Sequence, residues 1–380
     1  MAKILGVSVL GCRIHYEPCL ACKRRNCAGG NKMVDEIETK GLVQKSSQEY
    51  KTWPKVAIIV LNWNGWRDTI KCLESLLKQN YSSFEIFVLD NGSTDDSVSQ
   101  IKNWLEKNIG LSIDSKTILN IQGHTIYEQY TSKVITMLKS AENLGFAEGV
   151  NIVISYMLAK NENPNYIFLV NNDAHVETDC LKNCILTAQL SKATIVSPLI
   201  LDEKGEIVFN GGNLYWELFF KYTKKHSYNA DYWLSDRAHG CAMLIDFELV
   251  KRRFKEKGYL FIPQLFMYCE EIDLAFVGKK WKYKTVVTKN GIVHHKSFGS
   301  TLSKCPPLPY YYWTRNRIFL ARIYLPWYLR LFFYHFFTLS RLLRIVMHIM
   351  GGRKAQAMAI WAGLIDGYGG VMGKWKKHPR

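Results

Sequence analysis

The sequence lacks the two glycine-rich patterns with which proteins most often cradle phosphate groups. Neither G-x-G-x-x-G nor G-x-x-x-x-G-K-[ST] follows any predicted strand, which disfavours a dinucleotide-binding fold and a P-loop NTPase. The usual nucleic-acid-binding motifs are missing as well. In the apolar C-terminal part, arginines interrupt every run before it reaches the ~18 uncharged residues that a membrane-spanning helix needs.

Acidic residues are scarce near the C-terminus. Residues 301–380 hold 13 Lys and Arg but one acid, Asp366, in a chain of 380 residues with a net charge of +17. The rest of the chain is therefore closer to charge balance. A basic tail on such a body favours a membrane surface or another polyanion as partner. The apolar content of 48% indicates a globular protein, with room for one large domain or two smaller ones.

The cysteines form no evident disulfide framework. Residues 1–52 make up a polar N-terminal extension in which a C-x-x-C pair and two further cysteines have a spacing compatible with one structural zinc, although the flanking spacings are irregular. These four are Cys12, Cys19, Cys22 and Cys27. The other six are scattered in mostly apolar contexts, as expected for reduced intracellular thiols. They are Cys72, Cys180, Cys184, Cys241, Cys269 and Cys305.

From residue 56 onward, apolar strands alternate with amphipathic helices. The runs "VAIIVLNWNG", "FEIFVLDNGSTDDS" and "YIFLVNNDAH" are typical of strands buried on both faces, and helical patterns separate them. This alternation predicts an α/β protein with an open, mostly parallel, Rossmann-like sheet flanked by helices. Residues 106–140 fit the rhythm poorly, and we expect an insertion of unknown shape there.

Each of these strands ends on polar side chains. The carboxyl ends of parallel strands meet at one edge of a sheet, where ligands bind in such folds. A turn or a helix cap is the alternative for any one of these polar groups. Polar side chains at the ends of three strands, however, favour a ligand-binding site. The side chains are Asn62 and Asn64, then Asp90 and Asn91, and then Asn171, Asn172 and Asp173.

An acidic group begins a helix in the second half of the chain. Acids at a helix N-terminus often only complement the helix dipole. Here they follow an apolar Leu-Phe-Met run, which indicates partial desolvation and would suit a general base. The acids are Glu270, Glu271 and Asp273. His294 and His295 end the next strand, and a paired histidine is either structural or metal-binding.

Seven motifs in order resemble glycosyltransferase family 2, in particular its rhamnosyltransferase-like group. They are "VLNWNG", "LDNGSTDDS", "ENLGFAEGVN", "LVNNDA", "CEEIDL", "HHKSFGST" and "YYYWTRNRIFL", and they extend over roughly residues 55 to 325. The closing "GLIDGYGGVMG" is also similar to that group. The resemblance implies a GT-A fold and transfer of a sugar, with inversion, from a nucleoside-diphosphate sugar.

The resemblance also implies roles for the strand ends. Trp63 lies where the family packs the nucleotide base, with Asn62 and Asn64 beside it in the same motif, and Asp90 lies where a carboxylate accepts the N–H of the base. Gly145 falls in the loop that flanks the donor.

The triplet Asn171-Asn172-Asp173 replaces the family's D-x-D motif. Asp173 would hold Mn²⁺ or Mg²⁺ on the diphosphate, with Asn172 near the ribose or the metal and His295 as a further metal or diphosphate contact. Only one carboxylate remains in this triplet, which weakens the expected metal affinity.

Glu271 falls at the family's catalytic base, which is often Asp, so the longer side chain changes the expected geometry. Glu270 and Asp273 are then acceptor-side or supporting acids. Arg315 and Arg317 are candidates for diphosphate contact, the alternative being an exposed basic helix face.

Residues 318–350 predict an amphipathic helix. One face carries only apolar side chains, Phe332, Phe336, Leu339, Leu343, Val346 and Met350, and the opposite face carries Arg330, Arg341, Arg344 and His348. A basic, aromatic helix of this kind favours an interfacial position on anionic lipid. Packing against the body or against a second copy of the chain is the alternative.

These observations predict four regions: the extension 1–52, a nucleotide-sugar-binding half 53–200, an acceptor and catalytic half 201–305, and a basic helical region 306–380. The expected function is an inverting transfer to a hydroxyl of a lipid-linked glycan in cell-surface polysaccharide or glycan synthesis, at the cytoplasmic face of the membrane. A nucleotide-sugar-binding protein with an inactive site is the alternative. A nucleotidyltransferase is disfavoured because "LNWNGWRDT" supplies no Gly- and Arg-rich phosphate loop.

Overall fold

The computed structural model describes residues 53–109, 117–132, 134–214, 230–296 and 306–376. The N-terminal extension and its candidate zinc cysteines lie outside the described residues, as does Cys305. The five other cysteines are buried as thiols, which agrees with the prediction of reduced thiols.

The described strands form one mixed sheet of 12 strands. They are β1 Val56–Asn62, β2 Phe84–Asp90, β3 Thr117–Ile121, β4 His124–Thr131, β5 Ile135–Ser140, β6 Tyr166–Asn171, β7 Ala174–Val176, β8 Ile195–Leu201, β9 Ile207–Phe209, β10 Tyr232–Leu234, β11 Ala242–Asp246 and β12 Thr285–His295. The order across the sheet is β10-β12-β8-β11-β6-β1-β2-β5-β4-β3, with β7 paired to β12 and β9 paired to β8.

Helices cover the sheet and extend beyond it. They are α1 Trp66–Leu77, α2 Ser97–Ile109, α3 Gly145–Ala159, α4 Cys180–Ser191, α5 Phe247–Lys257, α6 Glu270–Lys280, α7 Pro307–Tyr324, α8 Trp327–Met350 and α9 Lys354–Gly369.

The centre of the sheet is parallel, as the apolar runs predict. Strands β6, β1, β2 and β5 all run in the same direction. Successive side chains of a strand point to opposite faces, so Ile58 and Val60 join one apolar cluster while Ala57 and Ile59 join the other. Both clusters are buried, which explains why the sequence of β1 is apolar throughout rather than alternating. The α/β class with a mostly parallel central sheet is confirmed.

The insertion expected at residues 106–140 contains an antiparallel hairpin. Strand β3 pairs with β4, and β4 adds antiparallel to β5 at the edge of the sheet. The turn between them contains Gln122 and Gly123, whose φ angles are 51° and 84°. Two successive residues with positive φ are typical of tight hairpin turns.

The C-terminal helices pack together and against α6. None of the helices that the structure describes is long and apolar enough to cross a membrane. Helix α8 has two faces, as the helical wheel predicts. Its outer face is apolar, and the exposed fraction of the side chains there rises to 83% at Met350. The opposite face is not in water, however, because Phe333, Phe337, Arg341 and His348 are buried against the body.

Candidate functional site

Polar strand ends meet at one edge of the sheet, as expected from their parallel order. In the registers, Asn62 of β1 lies opposite Asp90 of β2, and Leu61 lies opposite Asn171 of β6. The loops that follow β1, β2 and β6 therefore start side by side. This edge is where open α/β sheets bind their ligands.

Asn62 and Asp90 are buried at the floor of this edge. The Asn62 Nδ2 donates to Asp90 Oδ1 at 2.7 Å, and the same oxygen accepts from Ser93 Oγ at 2.6 Å. The backbone N–H of Ser93 donates to Asp90 Oδ2 at 3.1 Å. These bonds compensate the burial of the carboxylate and hold the turn after β2. A contact between Asp90 and a nucleotide base stays a prediction.

Trp63 and Asn64 form the rim above that floor. Asn64 has a φ of 51°, and its Oδ1 accepts from the backbone N–H of Thr94 at 2.8 Å, so it ties the loop after β1 to the loop after β2. Trp63 is 50% exposed. A large half-exposed aromatic ring at a ligand-binding edge suits stacking on a base, and this role too stays a prediction.

Asp173 meets His295 although 122 positions separate them in the chain. Strand β7 pairs with β12, and this pairing sets Ala174 opposite His295. The His295 Nε2 then lies 3.1 Å from Asp173 Oδ1 and 3.5 Å from Asn171 Nδ2. The two residues assigned to a metal from the sequence are thus neighbours.

Asn172 belongs to the floor rather than to this pair. Its Nδ2 donates to Thr69 Oγ1 at 3.0 Å, and that hydroxyl donates to Asn62 Oδ1 at 2.7 Å. Asn172 therefore braces the strand ends against α1 through Thr69. Its predicted position near a ribose or a metal stays a prediction.

The Asp173–His295 pair suits a divalent cation that shares its shell with a diphosphate. A carboxylate and an imidazole are accepted ligands of Mn²⁺, and such ions take their other positions from phosphate oxygens and water. Within the described residues no group of three or more His, Cys, Asp or Glu side chains converges. The protein would accordingly supply two side-chain ligands and the donor the rest.

Gly145 joins the donor-side loop to the second half of the chain. Its φ is +79°, and an added Cβ would lie 2.3 Å from the carbonyl oxygen of Phe266. The next N–H, from Phe146, donates to that carbonyl at 2.6 Å. The Asn91 Nδ2 donates to the carbonyl oxygen of Gly145 at 2.9 Å, and the Asn91 Oδ1 accepts from the backbone N–H of Leu144 at 3.0 Å. Only glycine fits this contact.

The segment from Leu265 to Cys269, which we call the α6 entry loop, is strained. Phe266, Tyr268 and Cys269 have φ values of 65°, 67° and 74°. Left-handed conformations of non-glycine residues cost about 1–3 kcal/mol each and persist only where surrounding contacts impose them. This loop leads directly into the acidic start of α6, so it fixes the position of Glu271.

Helix α7 supplies the contacts that hold the entry loop. The Asn316 Nδ2 donates to the carbonyls of Leu265 at 3.1 Å, Met267 at 2.8 Å and Tyr268 at 2.8 Å. Arg315 donates from Nη2 to Leu265 O at 2.8 Å and from Nε to Asn316 Oδ1 at 2.9 Å. Arg315 and Asn316, which we call the α7 clamp, are fully buried.

The predicted diphosphate contacts of Arg315 and Arg317 are therefore wrong. Arg315 is buried and its donors are used by backbone carbonyls of the entry loop and by Gly373. Arg317 is 9% exposed and lies near arginines of α8 rather than at the strand ends. The alternative of an exposed basic face is wrong as well, because both side chains are buried.

The three acids at the start of α6 have different surroundings. Asp273 is fully buried in an ion pair with Arg253, with 2.5 Å between Oδ2 and Nη2, and it also accepts from the Tyr324 hydroxyl. It stabilises the packing of α5, α6 and α7, which is a supporting role. Neither Arg253 nor Tyr324 has a local sequence signal, since both act only through tertiary contact.

Glu270 is buried, and its Oε1 has no hydrogen-bond partner within the described part of the chain. Burial, and then the neighbouring charge of Glu271, raises the pKa of Glu270 well above the usual value. Glu271 is only partly buried. It lines a small pocket with Arg237, Met243 and Thr285.

Contacts connect this pocket to the Asp173–His295 pair. Gly240 leaves Glu271 room, since a Cβ there would lie 3.5 Å from Oε2. His239, the residue before Gly240, has its ring centroid 6.1 Å from that of His295. The two halves of the chain thus bring a carboxylate and a candidate metal site to one region.

Residues 57–118 match the family model described as Glycosyl transferase family 2. Over these residues the chain is similar to family 2 glycosyltransferases. The matched residues extend from β1 into β3 and include Asn62, Trp63 and Asp90. The predicted rhamnosyltransferase-like group stays a prediction.

Solved structures share the glycosyltransferase fold at low identity. Mannosyltransferase PcManGT from Pyrobaculum calidifontis, in complex with GDP-Man and Mn²⁺, superposes with a TM-score of 0.52 and 12% identity, over 88% of this chain and 95% of that chain. S. aureus TarS 1-349 gives 0.46 and 15% identity over 82% and 80%. GalNAc-T7 with UDP, GalNAc and Mn²⁺ gives 0.48 and 13% over 65% of this chain, which spans only 44% of the GalNAc-T7 chain.

Proposed function

We propose that this glycosyltransferase moves a sugar from a nucleoside-diphosphate sugar to a hydroxyl group, with inversion. The observation that carries the proposal is the convergence of Glu271 and the Asp173–His295 pair through Gly240 and His239. A single displacement needs a base beside the acceptor and charge stabilisation at the leaving diphosphate. This region contains a candidate for each.

Glu271 is the proposed base. It accepts the proton of the acceptor hydroxyl while that oxygen bonds to the anomeric carbon, and the bond from that carbon to the diphosphate oxygen breaks with its electron pair. Burial, and then the charge of Glu271, raises the pKa of Glu270, which favours the neutral form of Glu270 beside the Glu271 carboxylate. Arg315 and Asn316 hold the entry loop and thereby orient this carboxylate.

Asp173 and His295 are the proposed ligands of a divalent cation on the donor diphosphate. When bound, Mn²⁺ or Mg²⁺ supplies Lewis-acid stabilisation of the leaving group. The same two side chains also fit a nucleotide-sugar-binding protein without turnover, since the Asn171-Asn172-Asp173 triplet retains one carboxylate.

Glu271→Gln separates these two functions. The amide keeps the size of the side chain but accepts no proton, so transfer should fall at least 100-fold while calorimetric donor affinity changes less than threefold. Glu74→Gln, on the exposed face of α1, is the matched control. Equal transfer by Glu271→Gln and the wild type would exclude the proposed base, and a wild type that binds donor without turnover would favour the binding protein.

The acceptor is proposed to be lipid-linked, with the protein peripheral on the cytoplasmic face of the membrane. The support is an exposed apolar surface on α8 and α9 that includes Phe332 at 61%, Leu343 at 58% and Trp361 at 53% exposure. The two helices meet along an open groove lined by Thr338, Leu342 and Tyr368, among others. Apolar patches of this extent usually bind a partner or a membrane.

A further inference from the structure

Five basic side chains gather where α7, α8 and the start of α9 meet. They are Arg317, Arg341, Arg344, His348 and Arg353, which we call the basic cluster. Burial, and then the charges of Arg344 and Arg317, lower the pKa of Arg341 to about 8. The pKa of His348 is lowered by burial and then by Arg353 and Arg344. The four guanidinium groups and the His348 imidazole therefore lie close enough to interact electrostatically.

No acid pairs with the basic cluster in the described part of the chain. Arg317, Arg341 and His348 are 9%, 4% and 7% exposed. Among the residues that the structure describes, Arg341 donates only to Ser340 Oγ, at 3.3 Å, and its guanidinium lies 4.7 Å from the centroid of the Phe337 ring. Within the described residues, Arg317 Nε, His348 Nδ1 and Arg353 Nε are buried without a hydrogen-bond partner.

An acid-free cluster of this kind is costly for a fold to maintain. Buried charges are normally paired, and buried donors normally bonded. Replacing such groups by apolar side chains would often stabilise a protein. Donors that are buried, like-charged and unbonded fit an anion with several acceptor oxygens. Guanidinium groups match phosphate geometry in particular, since their paired N–H donors can bond two oxygens at once.

The position of the cluster indicates where the phosphate comes from. Arg341 and His348 lie on the inner side of α8, and its outer side carries exposed Leu343, Val346 and Met347. Arg344 lies between the two sides and is only partly buried, which leaves the cluster open at this helix. An anion bound there would lie within about one helix turn of an apolar surface, as the headgroup of an amphipathic lipid does.

We propose that the basic cluster is a binding site for the phosphoryl group of a lipid. The proposal rests on the membrane-associated function above and deepens it, because it assigns phosphorylated lipids as the class of molecule that this part of the protein recognises. The cluster is distinct from the strand-end site: Asn316 of α7 contacts the entry loop, whereas Arg317 lies among the arginines of α8.

The test measures partition of the full chain into vesicles. Three compositions are compared: phosphatidylcholine alone, with phosphatidic acid, and with oleate at equal surface charge. The variant is Arg344→Gln with Arg353→Gln, and the charge-matched control is Lys354→Gln with Lys374→Gln, both exposed. The cluster variant should bind phosphatidic acid vesicles at least tenfold more weakly than the wild type, with the control within twofold. Equal losses in both variants, or equal wild-type binding to oleate and phosphatidic acid, would overturn the proposal.

Arg341→Met provides a second readout. It should raise the melting temperature without lipid, because it removes a buried charge that Arg344 and Arg317 repel. It should also weaken binding to phosphatidic acid. A purely structural arginine would give a lower melting temperature, which contradicts the proposal. Inorganic phosphate is the soluble probe. If it raises the wild-type melting temperature as much as phosphatidic acid vesicles do, the lipid source is wrong.

Donor binding separates this proposal from the proposed transfer. The cluster variant should bind a nucleotide sugar as the wild type does. Loss of lipid recognition with donor binding intact supports the cluster even if no transfer is found. Loss of donor binding in the cluster variant would contradict a separate phosphoryl-lipid site.

Discussion

Asn316→Ala tests whether the α7 clamp positions the catalytic carboxylate. The substitution removes two N–H groups that three carbonyls of the entry loop share, and it removes the acceptor of Arg315 Nε. A buried hydrogen bond contributes a net 0.5–1.5 kcal/mol, and one to a charged group about 1.5–3. The two N–H groups and the one charged bond together give an expected loss of unfolding free energy of about 2.5–6 kcal/mol, measured by urea titration.

Activity should fall more than this stability loss alone explains. Phe266, Tyr268 and Cys269 keep positive φ angles only because contacts impose them. Without Asn316 the loop relaxes, and Glu271 at its end moves. Misplacing a catalytic group by about 1 Å costs roughly 100-fold. We expect that drop in kcat, with the donor KM within threefold because the pairing of β7 with β12 positions Asp173 and His295.

Thr314→Val is the control on the same helix. It removes one hydrogen bond within α7, from Thr314 Oγ1 to Tyr310 O at 2.7 Å, so it should cost about 1 kcal/mol and leave kcat unchanged. A folded Asn316→Ala variant with wild-type kcat would refute the positioning role. A decrease in kcat that follows stability equally in both variants would also refute it.

Two further predictions concern the same helices. Glu270→Gln should raise the melting temperature at pH 7–8, and this gain should vanish near pH 4. The pKa of Glu270 is raised in the folded chain, so the wild type loses stability as pH rises above ~4.3, where the unfolded chain releases the Glu270 proton more readily than the folded chain. A gain independent of pH would contradict this. Leu343→Glu, on the exposed face of α8, should reduce flotation with anionic vesicles at least fivefold. The control Leu234→Glu, at a similarly exposed position on β10, should leave flotation unchanged. Equal recovery of both variants with lipid would refute membrane association.

The sheet and its ligand edge could be predicted because their signals are local. Strands β1, β2 and β6 are apolar runs that end on polar side chains, and parallel order alone brings Asn62, Asp90 and Asp173 to one edge. The meeting of Asp173 with His295 required the resemblance to a known family, since the pairing of β7 with β12 has no signal in either segment.

The roles of the C-terminal helices could not be predicted in the same way. The pattern "TRNR" places Arg315 and Arg317 on a helix, but the carbonyls that Arg315 contacts lie 50 positions earlier, at Leu265, and 58 positions later, at Gly373. A helical wheel likewise divides α8 into two faces without indicating which of them packs. In the structure the basic face packs on the body and buries Arg341 and His348, while the opposite, apolar face is the exposed one.

The most direct test of the central claim is donor binding by calorimetry. A panel of nucleoside-diphosphate sugars is titrated into the full chain, with and without Mn²⁺, and into Asp173→Ala. We expect at least one donor to bind the wild type. The affinity for this donor should fall at least tenfold when Mn²⁺ is omitted or when Asp173 is replaced by alanine. If no donor binds the wild type, or if Asp173→Ala binds as tightly in the presence of Mn²⁺, the proposed donor site is wrong.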